Sequence, residues 1–429
     1  MIKDLQERKK RIAVIGLGYV GLPLALELAK KYSVIGYDIN ESRIAQMRDK
    51  IDPSQELEKE AFDGCDIEFT SNEESLRRAH FFIVTVPTPI DNYNIPNLEP
   101  LFLATHLVAE VLKKGDYVVF ESTVYPGATE EECVPILEKV SGLQLGSDFK
   151  VGFSPERINP GDKENTLVNV LKIVSGNDDE ALETIAQLYD SIIKKGIYRA
   201  SSIKVAEAAK IIENTQRDIN VALVNELSML FAKMGINTNE VIEAAATKWN
   251  FYKVTPGLVG GHCIGVDPYY LTYKASQMGH HARLISAGRA INDGMASYVA
   301  QTIIKKLNNA GKVLKHSRVL VMGATFKENV SDIRNSKIFD IIRELKSYRI
   351  QGTIIDPYAD AEQVKKYYGF TLSAEPTGVY DAIVVAVKHK EYENLPEEFF
   401  RQYVNPPFIL FDLKSLYYNK FQDVVYFSL

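Results

Sequence analysis

The stretch "RIAVIGLGYVGLPLALELAKKYSVIGYDIN", residues 11–40, gives the clearest indication of the fold. The apolar run 12–15 predicts a strand, the glycine-rich turn after it leads into a helix, and 34–37 predicts a second strand that ends at an acid, Asp38. A strand, a helix and a second strand in this order form a βαβ unit, which is typical of parallel sheets. The spacing therefore predicts an α/β domain.

The turn between the first strand and the helix has the spacing GxGxxG. The first glycine permits a tight turn, the second lets a pyrophosphate approach the backbone, and the third lets helix and strand pack closely. A phosphate then lies at the helix N-terminus. This pattern predicts a dinucleotide site at Gly16, Gly18, Tyr19, Val20 and Gly21.

Asp38 lies about twenty residues after the fingerprint, where an acid accepts hydrogen bonds from the ribose hydroxyls of the dinucleotide. A carboxylate there repels a 2′-phosphate, so the sequence favours NAD over NADP. Arg43 keeps NADP open as an alternative, because a nearby arginine accommodates that phosphate.

The same architecture recurs towards the C-terminus. The runs "FFIVTVP" and "YVVFEST" extend the first sheet, and from residue 318 the order strand, turn, helix and strand returns, with the fingerprint reduced to Gly323 and an acid at Asp356. We expect the α/β class, with two Rossmann-like doubly wound domains joined by a long central helix and a helical middle domain. The expected domains are an NAD-binding domain at 1–200, a central domain at 201–311 and a C-terminal domain at 312–429.

The middle of the chain reads mainly as helix. Residues 202–234 contain no glycine or proline and repeat apolar residues at helical spacing, which predicts one long helix. A shorter helix is predicted within 237–249, a loop around Cys263, and a further helix at 284–307.

The composition excludes several classes of protein. With 429 residues, 46% of them hydrophobic and a net charge of −6, the chain is neither disordered nor suited to a nucleic-acid groove. The basic and apolar N-terminus lacks a cleavage pattern and is too short to span a membrane, so we expect a cytoplasmic protein. Cys65, Cys133 and Cys263 are too few and too scattered for a disulfide framework or a zinc site, and no metal is expected.

Several polar residues stand where a ligand would bind. Ser122 and Thr123 follow a predicted strand at the carboxyl edge of the sheet, or they simply form a turn. Glu156 and Arg157 lie between two prolines, either as a rigidly presented carboxylate or as a surface ion pair. The glycine-rich loop "GLVGGHCIGVDP" leaves Cys263 either a reactive thiol or a buried core residue.

On the long helix, Lys210 and Asn214 are four residues apart and share one face. A lysine on a helix is normally solvated. Small and apolar neighbours surround Lys210 in the sequence, which favours a polar ligand shared with the amide one turn further on.

Together these segments resemble the UDP-glucose/GDP-mannose dehydrogenase family. "GLGYVGLPLA", "ESTVYPGAT", "SPERINPGD", "AEAAKIIENTQRDINVAL", "GGHCIGVDP" and "FKENVSDIRNSK" appear in the order typical of that family. The resemblance implies an N-terminal NAD domain, a central helix that forms a homodimer, in which a higher oligomer stays open, and a C-terminal domain for the nucleotide of the sugar.

The resemblance also implies a four-electron oxidation of a sugar C6 alcohol to a carboxylate, with two NAD and one water consumed. A cysteine nucleophile makes the intermediate aldehyde tetrahedral, so that a second hydride can leave. By position, Cys263 is that nucleophile, Lys210 and Asp267 handle the alcohol proton, and Asn214 helps to stabilise the oxyanion. Glu156 activates water against the thioester, and Thr123 holds that water or the nicotinamide.

Binding residues are likewise implied by position. The implied cofactor contacts beyond the fingerprint are Asp38, Arg43, Thr85, Pro87, Thr88, Ser122, Thr123 and Arg334, the last of them in this or the partner subunit. The implied substrate contacts are Glu156, Arg157, Lys210, Asn214, Tyr252, Lys253, Gly257, Gly260, Phe326 and Lys327. For His262, beside the nucleophile, packing is favoured over catalysis.

The cysteine loop narrows the choice of sugar. Val266 stands where UDP-glucose and GDP-mannose enzymes usually carry a lysine. "GGHCIGVDPYYL" instead resembles the subgroup that acts on UDP-N-acetylhexosamines, so UDP-GlcNAc or UDP-GalNAc is the preferred substrate, for surface polysaccharide biosynthesis. UDP-ManNAc, UDP-glucose, and a non-catalytic regulator that binds NAD or a nucleotide are the alternatives.

Overall fold

The computed structural model divides the chain into two compact units. It describes residues 1–54, 56–91, 93–158, 162, 164–261 and 263–429. Unit 1 contains residues 1–213 and 269–280, and unit 2 contains residues 214–268 and 281–429.

Unit 1 is built on an eight-stranded sheet. Its strands are β1 (Arg11–Ile15), β2 (Val34–Tyr37), β3 (Ile67–Thr70), β4 (Ala79–Val84), β5 (Asp116–Phe120), β6 (Phe149–Phe153), β7 (Lys172–Gly176) and β8 (Ile197–Arg199). Its helices are α1 (Ile2–Gln6), α2 (Gly21–Ala29), α3 (Glu41–Arg48), α4 (Glu99–Val111), α5 (Val134–Ser141) and α6 (Asp179–Asp190). A π-helical turn, Thr129–Cys133, precedes α5.

The strand order in this sheet is β3-β2-β1-β4-β5-β6-β7-β8. The first six strands are parallel and follow the Rossmann order, whereas β7 runs antiparallel to β6 and β8 runs parallel to β7. The order reverses between β1 and β4, which makes the carboxyl ends of these strands the expected ligand edge. The antiparallel direction of β7 was not predicted from the sequence.

The middle of the chain is helical, as predicted. Its helices are α7 (Ile203–Met234), α8 (Thr238–Ala246), α9 (Asp267–Gln277) and α10 (Arg283–Asn309). The sequence did not predict α9, although it begins with Asp-Pro, a combination that favours helix starts.

Helix α7 buries several polar side chains and exposes several large apolar ones. Polar side chains lie at helical spacing on its buried face, namely Glu207, Asn214, Asp218 and Asn225. Large apolar side chains are exposed, namely Ile212, Leu223, Leu230 and Met234. A helix that buries polar groups must satisfy them with hydrogen bonds, and several of those bonds shape the candidate site described below.

The C-terminal part of unit 2 contains the second Rossmann-like sheet. Its strands are β9 (Arg318–Met322), β10 (Gln351–Ile355), β11 (Ala382–Val385), β12 (Phe408–Asp412) and β13 (Val424–Phe427). They pair in the order β10-β9-β11-β12-β13, all in parallel. Helices α11 (Ile338–Ser347), α12 (Ala361–Tyr368) and α13 (Glu397–Tyr403) complete this part. The predicted fold class is confirmed, and the boundaries at 200 and 311 stay a prediction.

The second copy of the architecture does not reproduce the dinucleotide fingerprint. Gly323 takes a positive φ of 102°, and a Cβ there would lie 2.6 Å from the Val387 side chain. Asp356, the counterpart of Asp38, is buried and accepts backbone N–H groups from Ala324 and Thr325 at 2.6 and 3.2 Å. Its carboxylate thus forms hydrogen bonds within the turn that follows β9.

None of the helices in the described residues is both long and apolar enough to cross a membrane.

Candidate active site

The glycine-rich turn has the geometry of a dinucleotide fingerprint. Gly16 adopts a positive φ of 91°, which favours glycine. A Cβ on Gly21 would lie 1.9 Å from the Gly16 carbonyl oxygen, so α2 could not approach the turn with any side chain there. A Cβ on Gly18 would meet nothing within 4 Å, which leaves the face expected to receive a pyrophosphate open. Tyr19 and Val20 lie between these glycines, immediately before α2.

Asp38 lies directly after β2 and is held by two backbone N–H groups, one from Leu17 at 2.9 Å and one from Asn40 at 2.9 Å. Arg43 donates to the Leu17 carbonyl at 2.9 Å and to the Ser54 hydroxyl at 3.2 Å. The guanidinium is therefore tied to the turn itself. A fixed carboxylate beside the fingerprint fits the ribose of NAD.

Hydrogen bonds join the loop after β4 to the fingerprint and the loop after β5 to the loop after β4. Thr85 donates its hydroxyl to the Gly16 carbonyl at 2.6 Å, and Ser122 donates to the Val86 carbonyl at 2.6 Å. Both hydroxyls, predicted to contact the cofactor, thus also order the turns at this edge of the sheet.

The remaining predicted residues of this edge differ in exposure. Pro87 is exposed, Thr88 is half-buried and accepts a hydrogen bond on its carbonyl from the Tyr270 hydroxyl at 2.8 Å, and Thr123 is half-buried beside Ser122.

Glu156 is a buried carboxylate, so the prediction of a surface ion pair is wrong for this residue. Its Oε1 accepts the N–H groups of Arg157 at 2.6 Å and Ile158 at 2.5 Å, and its Oε2 lies 3.5 Å from Lys172 Nζ. The Arg157 guanidinium instead pairs with Glu213 at 2.8 Å.

Asn214 and Asp267 are brought together in unit 2. The Asn214 amide Nδ2 donates to Asp267 Oδ2, and both side chains are buried. Arg217, one turn further along α7, donates to Asn214 Oδ1. Sequence reasoning missed Arg217, although its spacing of three from Asn214 was available as a signal. Lys210 is half-buried on α7, one turn before Asn214.

Cys263 stands one turn ahead of α9. Its carbonyl accepts the N–H groups of Val266 at 3.1 Å and Asp267 at 2.9 Å, and the residue is half-buried. The reading of Cys263 as a fully buried core residue is therefore wrong. The neighbouring His262 lies outside the described residues.

The glycines before the cysteine lie against the C-terminal domain. A Cβ on Gly261, which has a φ of 80°, would lie 2.8 Å from the Phe326 ring, and a Cβ on Gly260 would lie 2.8 Å from the Asn335 carbonyl oxygen. The Gly261 N–H donates to the Arg334 carbonyl at 3.2 Å. Only residues without side chains allow this close approach.

A shallow groove lies in unit 2 between the cysteine loop and the second sheet. Residues lining it include Gly257, Gly260, Thr325, Phe326, Lys337 and Lys414. It contains an aromatic ring, exposed backbone and two ammonium groups. Of these, Lys337 pairs with Asp293 at 3.1 Å and Lys414 pairs with Glu328, which also lines the groove, at 3.4 Å.

A network of buried hydrogen bonds, here called the clamp, holds the backbone of Gly257 at the edge of this groove. The sequence did not predict it. Asn225 donates to the Gly257 carbonyl at 3.0 Å and accepts the Gly257 N–H at 2.8 Å. It also donates to Asn292 at 2.8 Å, and Asn292 in turn donates to Asp218, which pairs with Arg289 at 2.6 Å. All four polar side chains of the clamp are buried.

The remaining predicted binding residues either are exposed or have partners within the chain. Tyr252 is exposed, Lys253 pairs with Glu243 at 2.6 Å, and Arg334 pairs with Asp332 at 2.7 Å. The half-buried Lys327 accepts the Thr325 hydroxyl on its carbonyl at 2.9 Å. Within the described part of the chain, no group of three or more His, Cys, Asp or Glu side chains is arranged to hold a metal ion.

Comparison with known proteins identifies the family. The model of the UDP-glucose/GDP-mannose dehydrogenase family, NAD binding domain, matches residues 10–193. The family's central domain matches residues 204–294, and its UDP binding domain matches residues 320–419.

Individual relatives extend over nearly the whole chain. UDP-N-acetyl-D-glucosamine 6-dehydrogenase of Pseudomonas aeruginosa is 52% identical over 97% of this chain and 98% of its own length. The Salmonella typhi protein of the same name is 49% identical over 96% and 98%. The solved structure of a UDP-D-ManNAc dehydrogenase from Pyrococcus horikoshii has a TM-score of 0.89 at 31% identity, and covers 97% of this chain and 98% of that chain. These matches confirm the resemblance and the NAD cofactor: the chain belongs to the UDP-glucose/GDP-mannose dehydrogenase family and is an NAD-dependent UDP-sugar dehydrogenase.

Proposed function

We propose that the protein oxidises C6 of UDP-N-acetyl-D-glucosamine from the alcohol to the carboxylate, in two steps through a covalent intermediate on Cys263. The observation that carries this chemistry is the pairing of Asn214 with Asp267 one helical turn after Cys263. This pairing places a buried amide donor on a carboxylate whose own backbone N–H is bonded to the carbonyl of the half-buried Cys263.

The first oxidation requires removal of the proton from the C6 hydroxyl. Asp267 is held by the Asn214 amide and by its place in the first turn of α9, which favours its ionised form. We propose that Asp267 takes up this proton through a water molecule and that Lys210, as an ammonium, assists by its positive charge. The ammonium of Lys210 and the amide of Asn214 then stabilise the negative charge that develops on the C6 oxygen.

NAD, when bound, accepts one hydride in each of the two oxidations. Between them the Cys263 thiolate adds to the aldehyde carbon, and the carbonyl oxygen takes up a proton to give a thiohemiacetal. The start of α9 next to Cys263 favours the thiolate, since helix N-termini carry partial positive charge. The second oxidation leaves a thioester on Cys263, and water activated by Glu156 releases the uronic acid.

The choice of sugar rests on the relatives. The two relatives named for UDP-N-acetyl-D-glucosamine are 52% and 49% identical to this chain, whereas the UDP-D-ManNAc dehydrogenase structure is 31% identical. Val266, in place of the lysine common in UDP-glucose enzymes, supports the same choice. The product would be used in surface polysaccharide biosynthesis.

We also propose that the protein acts as a homodimer through α7. Leu223, Leu230 and Met234 are about half exposed and recur at spacings of seven and four, so they share one face. A contiguous apolar face of this kind on a helix typically marks a protein interface.

A side-by-side assay tests the substrate. NADH formation is measured with UDP-GlcNAc, UDP-GalNAc, UDP-ManNAc and UDP-glucose under one set of conditions. We expect UDP-GlcNAc to have the highest kcat/KM, by about tenfold or more. A higher kcat/KM for any of the other three sugars contradicts the assignment.

A further inference from the structure

Unit 1 contains a buried cluster of ionisable side chains, here called the Glu121 cluster: Glu121, Glu156, Lys172 and Tyr189. Lys172 Nζ lies 2.7 Å from Glu121 Oε2 and 3.5 Å from Glu156 Oε2, and the Tyr189 hydroxyl donates to Glu121. All four residues are at most 6% exposed. Of these residues, only Glu156 has a role in the reaction proposed above.

The antiparallel strand β7 explains how this cluster forms. Glu121 directly follows β5, and Glu156 lies in the loop that follows β6, so both lie at the carboxyl edge of the parallel strands. Because β7 runs the other way, its first residue, Lys172, lies at that same edge. A parallel strand would have brought its last residue there instead.

The cluster holds two carboxylates and one ammonium. Burial lowers the pKa of the Lys172 ammonium, but attraction to Glu121 and Glu156 outweighs burial, and the net pKa is raised. Burial raises the pKa of the Glu121 carboxyl, and attraction to Lys172 opposes that rise. Burial, followed by the charge of Glu121, raises the pKa of Tyr189, which therefore remains a neutral donor. The two carboxylates compete for one cation.

We propose that Lys172 is a positioning residue that keeps Glu156 ionised for the hydrolytic step, and that Glu121 limits how strongly it does so. This inference rests on the proposed function. A buried ion pair is a weak source of stability, and a well-packed apolar group often serves as well. A functional requirement for a charged Glu156 accounts for a lysine here.

The step served is hydrolysis of the thioester on Cys263. Water oxygen bonds to the acyl carbon as one of its protons passes to Glu156, and the carbon–sulfur bond breaks to return the Cys263 thiolate. Glu156 must be a carboxylate to take that proton. The N–H groups of Arg157 and Ile158 hold its Oε1, and the Lys172 ammonium lies 3.5 Å from its Oε2.

Among the described residues, the ionisable side chains grouped with the Glu156 carboxylate are Glu121, Lys172 and Tyr189. The adjacent Arg157 guanidinium pairs with Glu213 instead. The effect of Lys172 and Glu121 on hydrolysis therefore has opposite signs.

The test measures the acidic limb of the pH profile for hydrolysis in single turnovers of the full-length enzyme with NAD and UDP-GlcNAc. Mass spectrometry of the quenched protein follows the acyl group on Cys263. In Lys172→Gln the loss of the cation should slow hydrolysis by about 10²-fold, let the acyl adduct accumulate, and move the limb to higher pH. In Glu121→Gln the loss of the competing anion should move the limb to lower pH.

Controls separate positioning from general damage. Lys150→Gln removes a lysine of the same sheet that pairs with Asp178 and Glu180, and should leave the limb in place. Lys172→Arg keeps the charge and should restore most of the hydrolysis lost in Lys172→Gln. Opposite displacements in Lys172→Gln and Glu121→Gln support the inference, since a merely structural role would not produce them.

Three results overturn the inference. If Glu156→Gln hydrolyses the adduct at the normal rate, Glu156 does not activate the water. The positioning role of Lys172, which depends on that assignment, is then contradicted as well. If Glu156→Gln stalls but neither partner variant moves the limb, only the positioning role fails. If Lys172→Gln does not fold, Glu121→Gln decides: a limb that does not move to lower pH contradicts the role.

Discussion

The Asn214 amide donates to the Asp267 carboxylate across two segments of unit 2 that are far apart in the sequence. A guanidinium has only donors, so the contact from Arg217 requires Asn214 Oδ1 to face the arginine and leaves Nδ2 for Asp267. The chain thus fixes the orientation of an amide that we propose also meets the C6 oxygen of the sugar.

The Asp267 carboxylate can be removed without changing the shape of its side chain. Asp267→Asn should lower kcat for the first oxidation by about 10²–10⁴-fold, because the acceptor for the hydroxyl proton is lost. Rapid-quench measurement of the first NADH formed per enzyme checks this. Asp63→Asn, which alters an exposed ion pair with Lys50, is the matched control and should leave the rate unchanged. A first oxidation of normal speed in Asp267→Asn contradicts the role.

Two glycines of the cysteine loop should respond differently to alanine. Gly261 has a φ of 80°, and a Cβ there would lie 2.8 Å from the Phe326 ring. Gly261→Ala should therefore lower the free energy of unfolding by about 1–3 kcal/mol and raise KM for the UDP-sugar. Gly265, whose nearest neighbours would be at 4.0 Å, has room for a methyl group. Gly265→Ala should change stability by less than about 0.5 kcal/mol. Equal effects of the two variants in denaturant unfolding would show that the contact with Phe326 is unimportant.

Alanine substitutions at two fingerprint glycines should affect different properties, NAD affinity in one variant and stability in the other. Gly18→Ala places a methyl group in open space, so the protein should unfold normally but bind NAD about tenfold more weakly, because the pyrophosphate is kept away. Gly21→Ala forces a methyl group against the Gly16 carbonyl and should cost about 2 kcal/mol of stability. Titration of each variant with NAD, alongside thermal unfolding, checks both. Unchanged NAD affinity in Gly18→Ala argues against this turn as the pyrophosphate site.

Glu207 should make stability depend on pH. Its buried carboxylate accepts the N–H groups of Gly127 and Thr129, and burial raises its pKa to about 7 from an ordinary 4.5. Between these values the folded state binds more protons than the unfolded state, so stability falls as pH rises, by at most about 1.4 kcal/mol per pH unit. The group's contribution is fully present below the lower value and is lost as pH passes the upper one.

The measurement is the urea midpoint at about pH 5 and about pH 8 for the wild type and Glu207→Gln. Glutamine cannot release a proton, so the fall in midpoint between these conditions should be smaller in the variant. Glu130→Gln removes an exposed carboxylate whose charge contributes less than burial to that rise in pKa, and should keep most of the wild-type difference. An unaltered pH difference in Glu207→Gln would exclude titration of this residue.

Local patterns predicted much of the fold. The strand at Val34–Tyr37 and the long helix ending at Met234 lie where apolar periodicity placed them, since both depend on spacing within a short segment. The antiparallel strand β7 was not predicted, because the direction of pairing depends on tertiary contacts rather than on the segment itself. The same limit applies to Lys172, which in the sequence is only a lysine at the start of a strand.

Sequence patterns likewise predicted some residues of the candidate site and missed others. Glycines at Gly16 and Gly21 could be read as close-approach positions because their spacing has a steric cause. Asn225 gave no such signal, since an asparagine within a helix looks like a solvated residue until its clamp on Gly257 is seen. Arg334 was predicted to contact the cofactor, and in this chain it pairs with Asp332.

Counting NADH per molecule of UDP-GlcNAc consumed, in the wild type and in Cys263→Ser, tests the covalent mechanism most sharply. We expect two NADH per sugar and a released uronic acid for the wild type. In the variant, NAD and the UDP-sugar should still bind while turnover to the acid is lost. One NADH per sugar in the wild type, or unchanged turnover in Cys263→Ser, contradicts the claim that a thioester on Cys263 lies on the reaction path.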